Sequence, residues 1–392
     1  MKAMSPWQFT IFRILFGSYL CVHFLHLAPW AGELFGAGGL IGDPSINPAH
    51  GLFPNPLDLP IPDGWLTAIV VLLAGSSLLF TAGVWRKPAA LVLWFGWTAL
   101  FHRNNLISNP SVPYIGLLLV LSLLVPGGEP WSRGPRNADW AMPKWVFRCA
   151  WILMAAGYTF SGITKLSSPS WTDGSAMRFL LENPLARPGW MRDLMLSLPE
   201  GLLKVMTWGT LAAELLFLPL ALWSRTRPWI WLTLVLMHFG IVAVVDFADL
   251  SLGMLMIHLF TFDPAWLKPK AKRPLLVRFD GECLMCSNTI RFVADEDREK
   301  LVRFTKLETD GNRAPETMLV ETGERTLDRS DGVLAILDAL GGHWRAFAIA
   351  GRLIPRPLRN ALYNFIARHR YRWFGKGDAC ALPSEALRER LE

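Results

Sequence analysis

The chain has 392 residues, of which 52 % are hydrophobic and 18 % are charged, and it contains 19 tryptophans. This composition excludes an ordinary soluble domain, in which about a quarter of the residues are charged. The length allows two or three domains. The formal net charge of +7 favours anionic partners such as lipid headgroups.

Eight apolar stretches before residue 267 have lengths typical of membrane helices, although some are short or interrupted. No cleavable signal peptide is expected ahead of the first stretch. They run at residues 9–27, 65–84, 88–106, 112–126, 145–163, 204–223, 228–245 and 248–264. We therefore predict a polytopic α-helical membrane bundle of about eight helices over residues 1–266.

Charges in the connections predict the orientation of this bundle. Lys and Arg cluster in connections on one side, whereas the connection at 28–64 on the other side has acidic residues and no Lys or Arg. By the positive-inside rule, the basic side is cytoplasmic. An even number of spans then places both termini in the cytoplasm, within a bacterial inner membrane. An odd number would place the C-terminal part outside.

Ionisable residues inside the apolar stretches are costly and therefore informative. Glu214 lies in the middle of a predicted span, where it is expected to pair with Arg13 or a histidine, to be protonated, or to face water. His238 and His258 are expected to be hydrogen-bonded core residues. No metal site is expected, because no His-x-x-x-His or comparable pair is present.

Lys165 ends the fifth predicted span and is followed by Trp171. A desolvated lysine loses its proton more easily and can act as a base. The alternative is that its side chain extends to the membrane interface, as lysines at the ends of spans do.

Residues 5–265 resemble the HTTM domain, which is similar to the membrane part of vitamin K-dependent γ-carboxylase. The resemblance rests on residues 12–17, 102–105 and 158–171 and on His238 with residues 262–264. It implies that Lys165 is a base acting on a quinone-like, vitamin K-like cofactor in the membrane domain, with contacts from His102, Glu214 and His238. The chain lacks the large lumenal part that holds the carboxylase's substrate regions, which argues against γ-glutamyl carboxylation.

A linker at 267–273, rich in Lys and Pro, precedes a second domain at 274–392. There, a β-like run at 275–279 leads through Asp280 to Cys283-Leu284-Met285-Cys286 and a helix-like stretch at 287–294. A strand that delivers Cys-x-x-Cys onto a helix N-terminus is typical of a thioredoxin-like redox dithiol.

The helix N-terminus favours the thiolate of Cys283, so we expect Cys283 to attack a disulfide and Cys286 to resolve it, with no cofactor required. Asp280 is expected to cap the helix or, alternatively, to accept a proton. Other interpretations are inert thiols or a zinc half-site, for which the candidate further ligands are Cys380, His343 and His369.

Pro315 precedes a second strand-like run at 317–320. In thioredoxin-like folds, a cis-proline before such a strand lies beside the dithiol and helps to align the substrate disulfide. The alternative is an ordinary trans proline in a loop, since cis bonds are rare even before proline.

Residues 274–383 resemble the DCC family of thiol-disulfide oxidoreductases. The resemblance rests on the FDGECLMC motif, Arg303-Phe304, residues 331–333, the tail 367–375 and Cys380. It implies a small α/β thioredoxin-like domain in which Cys283 and Cys286 are redox-active. Cys380 matches a third family cysteine, which could resolve, regulate or pack.

The basic segment 352–372 contains interleaved aromatic residues, and in a membrane-tethered domain it favours anionic lipid over nucleic acid. We predict a membrane-bound thiol-disulfide oxidoreductase that acts on a disulfide-containing protein or a small thiol. One alternative is a carboxylase- or epoxidase-like enzyme that uses Lys165, with a regulatory dithiol. The other is a non-catalytic redox sensor.

Overall fold

The computed structural model describes residues 4–48, 50–52, 54–137, 139–271, 273–307, 317–323, 325–377 and 385–391. The chain divides into two compact units, with the boundary between Phe262 and Asp263.

The first unit is helical. Its described helices are α1 (Pro6–Leu27), α2 (Ala31–Phe35), α3 (Asp63–Ala82), α4 (Arg86–Arg103), α5 (Val112–Leu124), α6 (Lys144–Lys165), α7 (Pro169–Thr172), α8 (Ala176–Glu182), α9 (Trp190–Leu196), α10 (Glu200–Leu215), α11 (Phe217–Leu222), α12 (Arg227–Val244) and α13 (Ala248–Thr261).

Four helical segments in the described part of the chain are long and apolar enough to cross a membrane: Pro6–Phe35, α3, α6 and α12. The apolar helices α5 and α13 are shorter. Helix is present in each of the eight predicted stretches, but the stretch at 204–223 is broken at Leu216. Pro219 explains the break, because its ring has no N–H and clashes with the carbonyl four residues earlier. Eight crossings therefore stay a prediction.

Buried aromatic side chains form much of the core around α1. Phe12 and Phe16 are fully buried, and Phe12 packs edge-on against Phe260 of α13. Arg13 is buried on the same helix, and its Nε lies 3.3 Å from Oε1 of Glu129. The predicted pairing of Arg13 with Glu214 is therefore wrong.

The same buried carboxylate also pairs with Arg86, whose Nε lies 3.1 Å from Oε1 of Glu129. One carboxylate between two guanidinium groups offsets part of the cost of burying three charges. Because Arg86 is buried, it cannot serve as a marker of an exposed cytoplasmic loop, as the orientation argument assumed.

The second unit is a small α/β domain with a mixed four-stranded sheet in the order β2-β1-β3-β4. The strands are β1 (Leu275–Phe279), β2 (Val302–Lys306), β3 (Leu319–Glu321) and β4 (Thr326–Asp328). β1 is parallel to β2 and antiparallel to β3. The helices are α14 (Leu284–Glu296), α15 (Arg329–Leu340), α16 (Gly342–Leu353), α17 (Arg356–Phe374) and α18 (Glu385–Arg388).

The sheet and α14 share one apolar core. Val277 and Phe279 of β1 pack with Ile290 of α14, Phe304 of β2 and Val320 of β3. Alternate residues of β1 are buried, as a period of two predicts. The fold class predicted from the sequence, a helical membrane unit followed by a small thioredoxin-like α/β domain, is confirmed.

Candidate functional site

Cys283 occupies the turn between β1 and α14. It is the N-cap residue of the helix, and its Sγ accepts a hydrogen bond from the main-chain N–H of Cys286 at 3.4 Å. Both thiols are free. A sulfur at this position receives an N–H dipole and the positive end of the helix, which stabilise a thiolate.

Cys286 lies one turn further along α14, where its side chain is partly buried. Burial raises the pKa of Cys286 to about 12, with further contributions from its hydrogen bond to Cys283 and from the charge there. The two thiols are therefore unequal, and Cys286 holds its proton.

An apolar cavity of about 230 Å³ adjoins Cys286. Its walls include Met285 and Ile290 of α14, Met318 beside β3, and Tyr363 and Ile366 of α17. Cys286 lines this cavity, as do Asp280 and Arg370 at its polar part. The cavity can hold an apolar group attached to a disulfide.

Asp280 does not cap α14, so the predicted capping role is wrong. Its Oδ1 accepts the N–H of Glu282 at 3.0 Å, which shapes the turn, and its Oδ2 accepts hydrogen bonds from Arg370 at 2.9 Å and from the Tyr371 hydroxyl. Burial and the hydrogen bond to Asp280 raise the pKa of Tyr371, so this hydroxyl stays protonated and can donate. Asp280 thus ties the dithiol turn to α17.

Cys283 is fully buried, although a thiol that attacks a substrate is expected to be accessible. A covering turn, Gly375–Gly377, follows α17, and Lys376 forms an antiparallel bridge with Cys283. The N–H of Gly377 donates to the carbonyl of Glu282 at 3.1 Å. Access of a substrate to Cys283 therefore requires local movement, for which the covering turn bonded to Cys283 and Glu282 is the candidate segment.

We expect Gly375→Ala to increase the rate at which iodoacetamide modifies Cys283. Gly375 has φ 83° and ψ 175°, a conformation essentially restricted to glycine. A side chain there destabilises the closed turn by about 1–3 kcal/mol. The fraction of molecules in which the turn is displaced from Cys283 should therefore rise at least about fivefold. Gly323→Ala is the matched control, because Gly323 has φ 82° in a different turn. Equal rates for Gly375→Ala and the unmodified chain would show that the covering turn does not limit access.

Some predicted site residues lie outside the described residues or apart from the dithiol. Pro315 and Cys380 lie outside the described residues. His343 and His369 lie on α16 and α17, and the described part of the chain contains no group of three His, Cys, Asp or Glu side chains able to hold a metal.

In the helical unit, Lys165 and Glu214 form an ion pair. Lys165 Nζ donates to Oε2 of Glu214 at 2.5 Å and to Oγ of Ser161 at 2.7 Å, and it lies 5.0 Å from the centre of the Trp171 ring. The Glu214 side chain is nearly fully buried and that of Lys165 is mostly so. The partner of Glu214 is therefore Lys165, and Lys165 extends into the unit.

His238 forms a separate polar cluster. Its Nε2 is hydrogen-bonded to the Tyr158 hydroxyl at 2.7 Å, and this hydroxyl also contacts Nε2 of His258 at 2.8 Å. His238 Nδ1 lies 3.1 Å from Oγ of Ser251. His102 lies in the last turn of α4, where its carbonyl accepts a hydrogen bond from Asn47. Among the three predicted cofactor contacts, Glu214 is hydrogen-bonded to Lys165, whereas the hydrogen bonds given above for His102 and His238 go to other residues.

We expect Lys165→Met to lower the thermal stability of the helical unit more than the double variant Lys165→Met/Glu214→Met. The single change leaves a buried carboxylate without its cation, which costs about 3–5 kcal/mol, whereas the double change removes both charges. Tryptophan fluorescence during heating in detergent measures this. Additive losses in the two single variants and the double variant would contradict a coupled pair.

Arg370, Tyr371 and Ser161 were missed as site residues. Arg370 lies 90 positions from Asp280, and no local pattern links them. Ser161 lies four residues before Lys165 on α6, a spacing that places the two side chains on one helix face. That spacing was the available signal.

Family models match two different segments of the chain, one in each of its two compact units. The family model of the HTTM domain matches residues 1–266, and that of the DCC1-like thiol-disulfide oxidoreductase matches residues 277–376. The uncharacterized protein YuxK of Bacillus subtilis is 31 % identical over 125 residues, which are 29 % of this chain and 90 % of YuxK.

The chloroplastic DCC family protein At1g52590 of Arabidopsis thaliana is 32 % identical over 123 residues, 28 % of this chain and 70 % of that protein. No solved structure matches. The chain belongs to the HTTM family and is a membrane protein that carries a thiol-disulfide oxidoreductase-like domain of the DCC family.

Proposed function

We propose that this protein is a membrane-bound thiol-disulfide oxidoreductase whose working groups are Cys283 and Cys286. The observation that carries the proposal is the unequal pair of thiols at the start of α14. Cys283 receives the Cys286 N–H at 3.4 Å, while Cys286 is protonated and borders an apolar cavity. Inert structural cysteines do not need this arrangement.

In the proposed reaction, the Cys283 thiolate attacks one sulfur of a substrate disulfide. A Cys283–substrate disulfide forms, and the other substrate sulfur leaves as a thiolate that takes up a proton. Cys286 then loses its proton and attacks Cys283 Sγ, which releases the second substrate thiol. Two electrons pass to the substrate, and the protein retains a Cys283–Cys286 disulfide.

The cavity beside Cys286 supports a substrate with an apolar group next to its disulfide, either a protein or a small molecule. Asp280 is a positioning residue in this scheme, because its carboxylate holds the turn through Glu282 and α17 through Arg370. Pro315 is proposed to align the substrate, a role that rests on the family resemblance alone.

We place the dithiol domain and both termini in the cytoplasm of a bacterium. The support is the distribution of Lys and Arg in the connections, without Arg86. In a reducing compartment, a Cys-x-x-Cys pair acts as a reductant or a sensor, and a persistent structural disulfide is not expected.

The test is the reaction of the fully reduced, full-length protein in nanodiscs with an aromatic disulfide such as dithiobis(nitrobenzoate). We expect two more thiolates per chain than a Cys283→Ser/Cys286→Ser variant releases, since that variant retains the other three cysteines, and a Cys283–Cys286 disulfide in the peptide mass spectrum. Release without that disulfide, or no release beyond that of the double variant, would exclude the proposed reaction.

A second candidate function is proton abstraction by Lys165 from the hydroquinone form of a quinone-like lipid. The motivating observation is an apolar cavity of about 500 Å³ between α8, α9, α10 and α12, whose walls include five methionines and Ala213, the residue before Glu214, but not the Lys165 or Glu214 side chains themselves. Lys165 is held against Glu214 by the ion pair, and in this scheme its amine would have to be neutral to act as the base. When bound, the reduced hydroquinone form of such a lipid would supply the acidic hydroxyl.

Equilibrium dialysis with a short-chain naphthohydroquinone, kept reduced under anaerobic conditions, tests this candidate. Lys165→Met/Glu214→Met is expected to weaken binding relative to the matched control Lys204→Met, whose exposed lysine pairs with Glu200 on the same helix. Equal binding by both variants would remove Lys165 and Glu214 from the site. The dithiol reaction does not depend on the result.

A further inference from the structure

Helix α17 presents an exposed apolar stripe, which consists of Leu358, Leu362, Phe365 and Trp373. These side chains are 63, 61, 47 and 50 % exposed. Their spacing of four, three and eight residues places them on one face of the helix. Such a contiguous exposed apolar surface marks an interaction site.

The adjacent side of α17 belongs to the domain itself. Tyr363, Ile366 and Arg370 line the dithiol cavity. Arg359 forms an ion pair with Asp331 of α15 at 2.5 Å. The domain core therefore uses one face of α17, and the exposed apolar stripe lies on the neighbouring face.

The charge around the stripe has one sign. Residues 341–377 contain seven Arg, one Lys and no Asp or Glu. Arg352 and Arg356 pair with aspartates of α15, but Arg368 and Arg372 are exposed beside the stripe. An apolar face flanked by arginines is characteristic of helices that lie in the interface of an anionic bilayer.

We propose that α17 docks the dithiol domain onto an anionic lipid bilayer, with the apolar stripe inserted at the headgroup boundary and Arg368 and Arg372 contacting lipid phosphates. The charge complementarity selects lipid as the occupant. The covalent link to a membrane unit keeps the domain near a bilayer surface, so that modest affinity is sufficient. Neither the stripe nor these arginines take part in the thiol reaction.

Hydroxyl-radical footprinting of the full-length protein in nanodiscs tests the docking. Oxidation of Trp373 and Phe365 is read by peptide mass spectrometry in phosphatidylcholine alone and in phosphatidylcholine with phosphatidylglycerol. We expect strong protection in the anionic discs only. Arg368→Glu/Arg372→Glu should remove it, because each basic residue contributes about fivefold and the double reversal shifts the docked ratio by about 25-fold or more.

The matched control is Arg298→Glu/Arg325→Glu, which makes the same charge change at two exposed arginines of the domain outside α17 and should retain the protection. Equal labelling in both lipids would overturn the proposal. Equal protection in neutral discs and in detergent would show that protein covers the stripe, which also overturns it. The lipid comparison uses the unmodified chain, so a misfolded variant cannot hide the outcome.

Discussion

Replacing Cys283 by serine is expected to abolish disulfide exchange, whereas replacing Cys286 by serine should trap the substrate thiol on Cys283. A serine hydroxyl is not ionised at neutral pH, so the first variant has no nucleophile. The second retains the attacking thiolate but lacks the thiol that releases the product. Mass spectrometry of the full-length variants measures the trapped adduct, and a thiol assay measures turnover.

Cys149→Ser is the control, because Cys149 is a partly exposed cysteine of the helical unit. It should retain full exchange. The opposite pattern, with an adduct trapped on Cys286 in the Cys283→Ser variant, would identify Cys286 as the attacking thiol. That result would reverse the roles proposed for the two cysteines. It would agree with the position of Cys286 in the cavity wall.

Replacing Arg370 by methionine is expected to destabilise the dithiol domain by about 3–5 kcal/mol, because it leaves the buried Asp280 carboxylate without its cation. The side chains of Arg370 and Asp280 are 8 and 7 % exposed. Pulse proteolysis of the full-length protein in urea measures this loss. The double variant Asp280→Asn/Arg370→Met should recover part of it.

Arg368→Met is the matched control on the same helix, since Arg368 is exposed and its loss should change stability by about 0.5 kcal/mol or less. Equal unfolding of the Arg370→Met and Arg368→Met variants would show that the ion pair with Asp280 does not stabilise the domain.

The local features of the dithiol site were predictable from the sequence. The alternation of Leu275, Val277 and Phe279 marks a half-buried strand, and the cysteines that follow mark the start of a helix. The role of Asp280 was not predictable. Its partner Arg370 comes from a helix 90 positions away, and long-range ion pairs leave no periodic signal.

In the membrane unit, the sequence identified Lys165 and Glu214 separately but not as partners. The two lie 49 positions apart on different helices, and composition gives no contact between them. The covering turn over Cys283 was also not predictable. It depends on the positive φ of 83° at Gly375, which directly follows α17. From the sequence, we recognised this region only as a basic segment with aromatic residues.

The most direct test of the central claim is a redox titration of the full-length protein in glutathione buffers, with Cys283 and Cys286 quantified by alkylation and mass spectrometry. We predict one reversible two-electron transition in which both cysteines oxidise together, since they form a single disulfide. Independent oxidation of the two thiols, or glutathione adducts without a Cys283–Cys286 disulfide, would contradict it.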